Sequence, residues 1–216
     1  MEPKKIALIG ATGFVGQAVL EELLSRGHQV TALARHPEKL PARPGLRVVP
    51  GDAQVIQQVQ QAVEGHDMVV SAYNPGFHLA DIQAQFVLGS RAIVAGVKAA
   101  GVPRLLVVGG AGSLFVAPDV QLVDTPEFPA EWKEGALGAR QALRDLQAET
   151  ALDWTFVSPA ILLEPGERTG HYRLGQDAPL MTGEGPGRVS TADLAVAIVD
   201  EVEQHRHPRQ RFTLAY

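Results

Sequence analysis

The chain of 216 residues contains no cysteine. Disulfide bonds, thiolate catalysis and cysteine-ligated zinc are therefore excluded, and no metal site is expected. The absence fits the cytoplasm, where we expect the protein. Long apolar runs are lacking too, since the longest uncharged stretch, residues 6–20, is shorter than the roughly 20 residues of a membrane helix. We expect no membrane partner, and we interpret this stretch as a strand and a helix rather than a signal peptide, because a glycine turn interrupts it.

An excess of basic residues is also missing. Lys and Arg number 19 against 24 Asp and Glu, which gives a net charge of −5. The basic residues are scattered, whereas a nucleic-acid surface needs a basic stripe, so no nucleic-acid partner is expected. Apolar residues make up 45% of the chain and charged residues 20%, which supports a folded core and argues against wholesale disorder. The length suits a single domain over residues 1–216.

Three glycines stand between a strand pattern and a helix pattern near the start of the chain. Gly10, Gly13 and Gly16 follow the apolar residues 6–9 and open a helical pattern over residues 14–24. In such a unit the first glycine permits a tight turn, the second lets the backbone approach a diphosphate, and the third lets helix and strand pack closely. The helix N-terminus then faces the anion. The alternative is a unit whose glycines serve packing alone.

Strand-length apolar runs alternate with helical patterns along the chain. The predicted strands are residues 6–9, 29–34, 46–49, 67–71, 104–108, 154–158 and 212–215. The predicted helices are residues 14–24, 53–63, 81–100, 132–148 and 190 to about 203. This alternation predicts an α/β fold of the Rossmann type, a doubly wound parallel sheet of order 3-2-1-4-5-6 with a seventh strand. Residues 160–190, which include a Gly- and Pro-rich segment, are expected to form a small C-terminal cap on the substrate side.

Residues after the second, third and fourth strands should lie at the edge of the sheet where ligands bind. An acid at the position of Arg35 would suit the ribose hydroxyls of NAD, whereas an arginine suits the 2′-phosphate of NADP. We therefore expect NADP as the preferred cofactor, with NAD as the alternative, unless Arg35 is a solvated surface residue. Asp52, followed by Ala53, either accepts from the adenine amino group or caps a helix. Small Ser71 and Ala72 would let the cofactor ribose approach.

Residues after the fifth and sixth strands are candidates for the substrate side. Gly109 begins a run with three glycines, which suggests a backbone crowded against a ligand. Ser113 ends that run and is the natural donor to a substrate carbonyl or flavin edge, or else a turn serine. Pro159 should border the nicotinamide. His171 and Tyr172 lie in the expected cap, where either would supply a proton or would be an ordinary surface or packed residue.

The motifs together resemble the atypical short-chain dehydrogenase/reductase superfamily. Within it the chain is similar to the NAD(P)H-binding group of NADH-flavin reductases, close to NmrA-like and biliverdin-reductase-B-like proteins. The resemblance rests on residues 9–16 (IGATGFVG), 108–114 (VGGAGSL), 153–160 (DWTFVSPA) and 165–173 (PGERTGHYR). It implies cofactor contacts at Gly10, Thr12, Gly13, Phe14, Val15, Arg35, Asp52 and Ser71.

One departure from the superfamily bears on the chemistry. Short-chain dehydrogenases usually carry Tyr-x-x-x-Lys on the helix after the fifth strand, where the tyrosine delivers a proton. Here residues 134–141 read EGALGARQ, and Pro129 stands four residues before Lys133. The absence of the Tyr-x-x-x-Lys pair disfavours carbonyl reduction. Hydride transfer to a flavin needs only binding and orientation, because solvent can protonate the ring later.

The leading interpretation is an NAD(P)H-dependent oxidoreductase that transfers hydride to a flavin, a quinone or a similar flat acceptor. Ser113 would orient the acceptor, His171 or Tyr172 would close the site, and flavin would be a substrate rather than a tightly bound cofactor. The alternatives are a non-catalytic NAD(P)-sensing regulator of the NmrA type and, third, a nucleotide-sugar epimerase or dehydratase. The expected partner is a small-molecule acceptor, and the chain is expected to be a monomer or a homodimer.

Overall fold

The computed structural model describes residues 2–216. The strands are β1 (Lys5–Ile9), β2 (Gln29–Ala34), β3 (Leu46–Pro50), β4 (Met68–Ser71), β5 (Arg104–Val108), β6 (Phe115–Ala117), β7 (Val120–Gln121), β8 (Asp153–Ser158), β9 (Leu162–Glu164), β10 (Arg173–Gly175), β11 (Met181–Thr182), β12 (Gly185–Pro186), β13 (Arg188–Ser190) and β14 (Gln210–Ala215). The α-helices are α1 (Phe14–Ser25), α2 (Ile56–Val63), α3 (Ile82–Ala99), α4 (Ala130–Gln147) and α5 (Thr191–Gln204).

The central sheet has the order β3-β2-β1-β4-β5-β8-β14-β10. All its neighbouring pairs are parallel except β10 with β14, which is antiparallel. The predicted Rossmann-type order and the seventh strand are therefore confirmed. The added edge strand β10 comes from the Gly- and Pro-rich segment, and its register runs from Arg173 opposite Ala215 to Gly175 opposite Thr213.

The first strand shows why the sheet lies between two layers of helices. Ile6 and Leu8 are fully buried in a cluster that includes residues of α1 and α5. Ala7 and Ile9 are buried in a second cluster with residues of α2, α3 and α4. Successive strand side chains point to opposite faces, so a strand covered on both sides is apolar at every position.

Two helix starts differ from the sequence prediction by two residues or more. Helix α2 begins at Ile56 instead of residue 53, because residues before it form a turn in which the Asp52 carboxylate accepts from the Gln54 N–H at 2.9 Å. Helix α4 begins at Ala130, two residues before its predicted start. Helix α5 starts after Ser190, whose hydroxyl accepts from the Asp193 N–H at 2.9 Å as a helix cap.

The segment expected to form the cap divides into several short strand pairs. Strand β9 pairs in parallel with β13, and β11 forms a hairpin with β12. Its middle part packs against the outer helices, since Arg168 forms an ion pair with Glu22 of α1 at 2.8 Å and the Thr169 N–H donates to Asp193 of α5 at 2.9 Å. Only the beginning of the segment, up to Glu164, lines the cleft described below.

No helix within residues 2–216 is both long enough and apolar enough to cross a bilayer. Nor do three or more histidine, aspartate or glutamate side chains in this part of the chain group as they would around a metal ion.

Candidate functional site

A cleft of about 980 Å³ opens at the carboxyl edge of the sheet. The residues that follow β1, β2, β3, β4, β5 and β8 all contribute to its walls, so it spans the point where the strand order reverses between β1 and β4. The sequence-predicted site residues that line it are Gly10, Thr12, Gly13, Phe14, Val15, Arg35, Asp52, Ala53, Ala72, Gly109 and Pro159. One continuous space therefore brings most of the candidate binding residues together.

The turn between β1 and α1 requires glycine at two positions. Gly10 has a positive φ of 86°, and an added Cβ would lie 2.4 Å from the Ala72 carbonyl oxygen. A Cβ on Gly16 would lie 1.9 Å from the Gly10 carbonyl oxygen, so this glycine lets α1 pack onto the turn. Gly16 itself is absent from the cleft wall. Gly13 has only the Gly10 carbonyl oxygen near its Cβ position, at 3.3 Å, and it lines the cleft.

The N-terminus of α1 carries unsatisfied hydrogen-bond donors. Gly13 is its N-cap and has no side chain to accept from the first turn, which also contains no acidic residue. Within residues 2–216 the N–H groups of Phe14 and Val15 have no acceptor. Free N–H groups and the positive end of the helix dipole together suit an anion. The cradle thus fits the diphosphate of a dinucleotide.

Arg35 lies exposed at the carboxyl end of β2 and lines the cleft. Its guanidinium makes no hydrogen bond or ion pair with the residues that the structure describes. The neighbouring His36 instead contacts Glu38 at 3.2 Å. Asp52 lies at the end of β3, where its backbone N–H donates to Gln58 at 2.6 Å. It precedes α2 without capping it, because the N-cap is Val55.

Tyr73 lines the cleft without being placed to donate a proton into it. Its hydroxyl donates to the Gln85 carbonyl oxygen and accepts from the Gln54 side chain, both at 3.0 Å. Burial raises the pKa of Tyr73 above its ordinary value, against the opposing hydrogen bond from Gln54. The ring packs over Gly89 of α3, where a Cβ would come within 2.3 Å of it. The phenol therefore serves the packing of the β4 loop on α3.

The other end of the cleft is apolar and aromatic. The rings of Phe77 and Trp132 meet edge to face with centroids 4.9 Å apart, and they are 52% and 49% exposed. Gly135 permits this packing, since a Cβ there would lie 2.8 Å from the Phe77 ring. Sequence reasoning missed this part of the site. This aromatic wall could have been predicted from the apolar and small residues that recur at helical spacing on α4, namely Trp132, Gly135, Ala136 and Ala139.

The three glycines after β5 differ in what surrounds their Cβ positions. A Cβ on Gly109 would lie 1.9 Å from the ring of buried Phe156, and one on Gly112 would lie 2.9 Å from Ala136. Only the Cβ position of Gly110 has open space around it. Two of the three glycines are therefore required by packing within the protein rather than by a ligand.

Ser113 is absent from the cleft wall. It is buried, and its hydroxyl and carbonyl oxygens accept from Arg211 of β14 at 3.0 and 2.9 Å. Ser71 is buried as well, with its hydroxyl 3.4 Å from the Tyr73 N–H. Both side chains are therefore turned into the protein and away from the cleft, whereas Ser113 was expected to face an acceptor and Ser71 the cofactor.

His171 and Tyr172 lie outside the cleft, in the segment that packs against α1 and α5. The Tyr172 hydroxyl donates to Asp200 of α5. Burial and that carboxylate both raise the pKa of Tyr172 far above its ordinary value. The Arg168–Glu22 ion pair holds the segment in this position. The structure thus places both residues away from the cleft wall, and a role for either in closing the site stays a prediction.

A family model described as NAD(P)H-binding matches residues 10–205, which run from the glycine turn after β1 to the end of α5. The chain belongs to this NAD(P)H-binding family. It is 39% identical over 215 residues to the uncharacterized protein YwnB of Bacillus subtilis (strain 168), covering 97% of each chain.

Solved structures share the fold of this NAD(P)H-binding protein over its full length. A "putative epimerase" from Bacteroides thetaiotaomicron is 42% identical, with a TM-score of 0.93 over 100% of this chain and 98% of that one. SP1627, a "putative NADH-flavin reductase" from Streptococcus pneumoniae TIGR4, is 34% identical, with a TM-score of 0.84 over 98% and 99% of the two chains. The resemblance found in the sequence is therefore confirmed at the level of an atypical short-chain dehydrogenase/reductase group.

Proposed function

We propose that the protein is an NADPH-dependent reductase that transfers a hydride to a flat conjugated acceptor, a flavin or a quinone. The observation that carries the proposal is the make-up of the cleft. A helix N-terminus with free donors stands at one end, and the exposed rings of Phe77 and Trp132 stand at the other. No ionisable side chain of α4 lines the wall between them.

Different residues of the cleft would bind different parts of the dinucleotide. The backbone of the turn from Gly10 to Val15 would hold the diphosphate, and Arg35 would pair with a 2′-phosphate. Asp52, Gly109 and Pro159 also line the cleft. Asp52 would accept from the adenine amino group, and Gly109 and Pro159 would border the nicotinamide. The bound reduced dinucleotide would supply the hydride.

The wall formed by α4 favours a flat acceptor over a carbonyl. Reduction of a ketone places charge on one oxygen, which a positioned acid must protonate. The cleft-facing pairs four residues apart on α4 are Trp132 with Ala136 and Gly135 with Ala139, and none of these side chains is an acid that could protonate the oxygen. A flavin or quinone spreads the charge over its ring and takes its proton from solvent, so these residues need only orient the ring.

The residues of α4 also favour one of the descriptions of the two similar structures over the other. An epimerase of the superfamily would need the missing proton-transferring pair, whereas a flavin reductase would not. The residues of α4 therefore support the flavin-reductase description over the epimerase description. They are equally compatible with a protein that binds NADPH as a signal without turnover, which is the second candidate.

Turnover separates the two candidates. Purified protein is mixed with NADPH under anaerobic conditions, and the nicotinamide absorbance is followed with riboflavin, FMN or a benzoquinone against a protein-free blank. Binding of NADPH is measured in parallel by calorimetry. Oxidation above the blank supports the reductase, whereas stoichiometric binding with no oxidation for any acceptor overturns it in favour of the sensor.

A further inference from the structure

The loop between β4 and α3 carries the only asparagine of the chain, Asn74. Its side chain is exposed and lines the cleft. Asn74 stands three residues before Phe77, so their Cα atoms would be at most about 11 Å apart even along an extended chain. The chain turns between them, since Gly76 has a positive φ of 116°. Asn74 therefore lies close to the aromatic end of the cleft, where Phe77 meets Trp132.

One hydrogen bond fixes the orientation of the Asn74 amide. Its Oδ1 atom accepts from the Gly76 N–H at 2.8 Å, an arrangement typical of an asparagine in a turn. A side-chain amide carries one carbonyl oxygen and one NH2 group, so the turn engages the oxygen and not the donor. Within residues 2–216 the NH2 group has no hydrogen-bond partner. It therefore stands free to donate to a ligand in the cleft, and it is uncharged.

Most other polar side chains of the cleft wall are not available as donors to an acceptor at this end. Besides Asn74 they are Thr12, Arg35, Asp52, Tyr73, Thr125, Glu127, Trp132 and Glu164. The hydroxyls of Thr125 and Tyr73 already donate to backbone carbonyl oxygens, at 2.9 and 3.0 Å. The three carboxylates only accept. Thr12 and Arg35 follow β1 and β2, in the part of the cleft proposed for the dinucleotide.

The indole N–H of Trp132 is a less suitable donor than the Asn74 amide. Trp132 is half exposed, and a flat acceptor would cover the face of its ring. An indole N–H lies in the plane of the ring, so it does not point at a ligand stacked on the face. The side-chain donor best placed for a ring on this platform is therefore the Asn74 NH2 group.

We propose that the Asn74 amide donates a hydrogen bond to a carbonyl oxygen of the acceptor and stabilises the negative charge that hydride transfer places on the ring. The inference rests on the proposed function, because it names a catalytic residue of that reaction. The acceptor ring gains a hydride from NADPH and one proton from solvent, and NADP⁺ is the other product. A donor held at the oxygen lowers the barrier without giving up a proton. The subsite therefore takes rings that bear a conjugated carbonyl group, as quinones and flavins do.

Asn74→Asp separates this role from the role of Asn74 in the turn. The aspartate keeps an oxygen for the Gly76 N–H and loses the donor. Urea unfolding and the dissociation constant of NADPH should therefore change little, while kcat with riboflavin or a benzoquinone falls about tenfold or more. Asn74→Ser removes the amide without adding a charge, and a serine hydroxyl can accept in the same turn, so kcat should fall to a similar extent.

The matched control is Gln57→Glu, which exchanges an amide for a carboxylate at an exposed position of α2 outside the cleft wall. Its kcat should equal that of the unmodified protein. Full activity in both Asn74 variants overturns the inference, since the acceptor would then need no amide at this position.

The single asparagine also allows a readout that does not depend on turnover. Protein made with asparagine isotopically labelled at its side-chain nitrogen gives one NH2 signal pair in a nuclear magnetic resonance spectrum, that of Asn74. In the presence of saturating NADP⁺, which cannot reduce the acceptor, riboflavin or a benzoquinone should shift the signal of one proton of the pair. A pair that shifts with NADP⁺ and not with either acceptor places the amide on the dinucleotide, which overturns the inference and leaves the reductase standing. Binding of NADPH without its oxidation by any acceptor in the unmodified protein overturns the proposed function, and the inference with it.

Discussion

The guanidinium of Arg211 on β14 donates to both oxygens of Ser113, to the carbonyl at 2.9 Å and to the hydroxyl at 3.0 Å. Both residues are buried, and the Asp177 carboxylate accepts from the same guanidinium at 2.8 Å. The turn after β5 is thereby tied to strand β14 on the other side of β8. Ser113 serves the architecture that shapes the cleft wall.

Replacing Ser113 with alanine should therefore lower stability and leave chemistry almost unchanged. The lost hydroxyl accepts from a charged donor in the interior, so the free energy of unfolding should fall by about 1–2 kcal/mol. Urea unfolding measures this, and steady-state assays with NADPH measure the rate. A large fall in kcat with unchanged stability would contradict the placement, since it would mean that the hydroxyl reaches the acceptor.

Valine at position 13 should abolish dinucleotide binding while the fold persists. Gly13 has φ −83°, which any residue adopts, and its Cβ position meets only the Gly10 carbonyl oxygen at 3.3 Å. Loss of a good N-cap residue costs about 1 kcal/mol. The branched side chain would fill the volume beside the free donors, so calorimetry should detect no NADPH binding at concentrations that saturate the unmodified protein.

The control for this experiment is Gly185→Val, in a hairpin outside the cleft wall, where the Cβ position has only the Thr182 carbonyl oxygen within 4 Å, at 3.7 Å. This variant should bind NADPH normally. Unchanged affinity in Gly13→Val would remove the turn from the binding site.

The sequence was informative where local pattern and tertiary environment agree. Strands such as β1 and β5 are buried on both faces, so their apolar runs alone predict them, and the order of the sheet follows from their alternation with helices. Strand β10 has three residues, two of them exposed, and it exists through pairing with β14. A local pattern cannot report such a strand, because its stability comes from a distant partner.

The candidate site was likewise predictable only where it depends on local sequence. The turn at Gly10 is encoded locally, by a glycine that needs positive φ and by the helix that follows. The direction of Ser113 depends on Arg211, 98 positions further along the chain, and the position of Tyr172 depends on Asp200. These polar pairings join distant segments, so the residue type alone suggested catalytic roles that the tertiary contacts do not support.

Arg35→Ala should erase most of a preference for NADPH over NADH. The exposed guanidinium has no partner within residues 2–216, so it is free to pair with a 2′-phosphate. A charge-assisted contact contributes about 1.5–3 kcal/mol, which is roughly a tenfold to hundredfold preference. Dissociation constants for both dinucleotides measure it.

Arg47→Ala is the matched control for Arg35→Ala, because it removes the same charge from an exposed position on β3 outside the cleft wall. The Arg47→Ala variant should still prefer NADPH over NADH. Equal affinities for NADPH and NADH in the unmodified protein would show that Arg35 makes no contact with the phosphate.

The ion pair between Arg168 and Glu22 should contribute stability that acid removes. The hydrogen bond from Arg168 is the largest cause that lowers the pKa of the Glu22 carboxyl below its ordinary value, and Arg26 adds to it against burial. A lowered folded-state pKa stabilises the fold above the ordinary glutamate pKa of about 4.3, and this contribution disappears as pH falls through the lowered value.

Arg168→Gln should therefore destabilise the protein at neutral pH, and the difference from the unmodified chain should narrow as the medium is made more acidic than the ordinary glutamate pKa. Urea unfolding at a series of pH values measures this difference. Arg188→Gln, an exposed arginine of β13 with no ion pair in the described chain, should show no such trend. A difference that stays constant into acid would mean that Arg168 acts through packing and not through the carboxylate.

Trp132→Ala should weaken binding of the acceptor and leave binding of the dinucleotide unchanged. Trp132 is half exposed and contacts Phe77 edge to face, so the loss of its ring should change stability little while removing a platform for the acceptor. An aromatic pair contributes about 0.5–1.5 kcal/mol beyond burial, so kcat/KM for riboflavin should fall about twofold to tenfold. The Trp132→Phe variant keeps an aromatic face and should retain most of the activity, and NADPH affinity should be unchanged in both. A parallel loss of NADPH affinity and riboflavin turnover in Trp132→Ala would place this ring beside the nicotinamide, whereas equal turnover in all three proteins would mean that the acceptor binds elsewhere in the cleft.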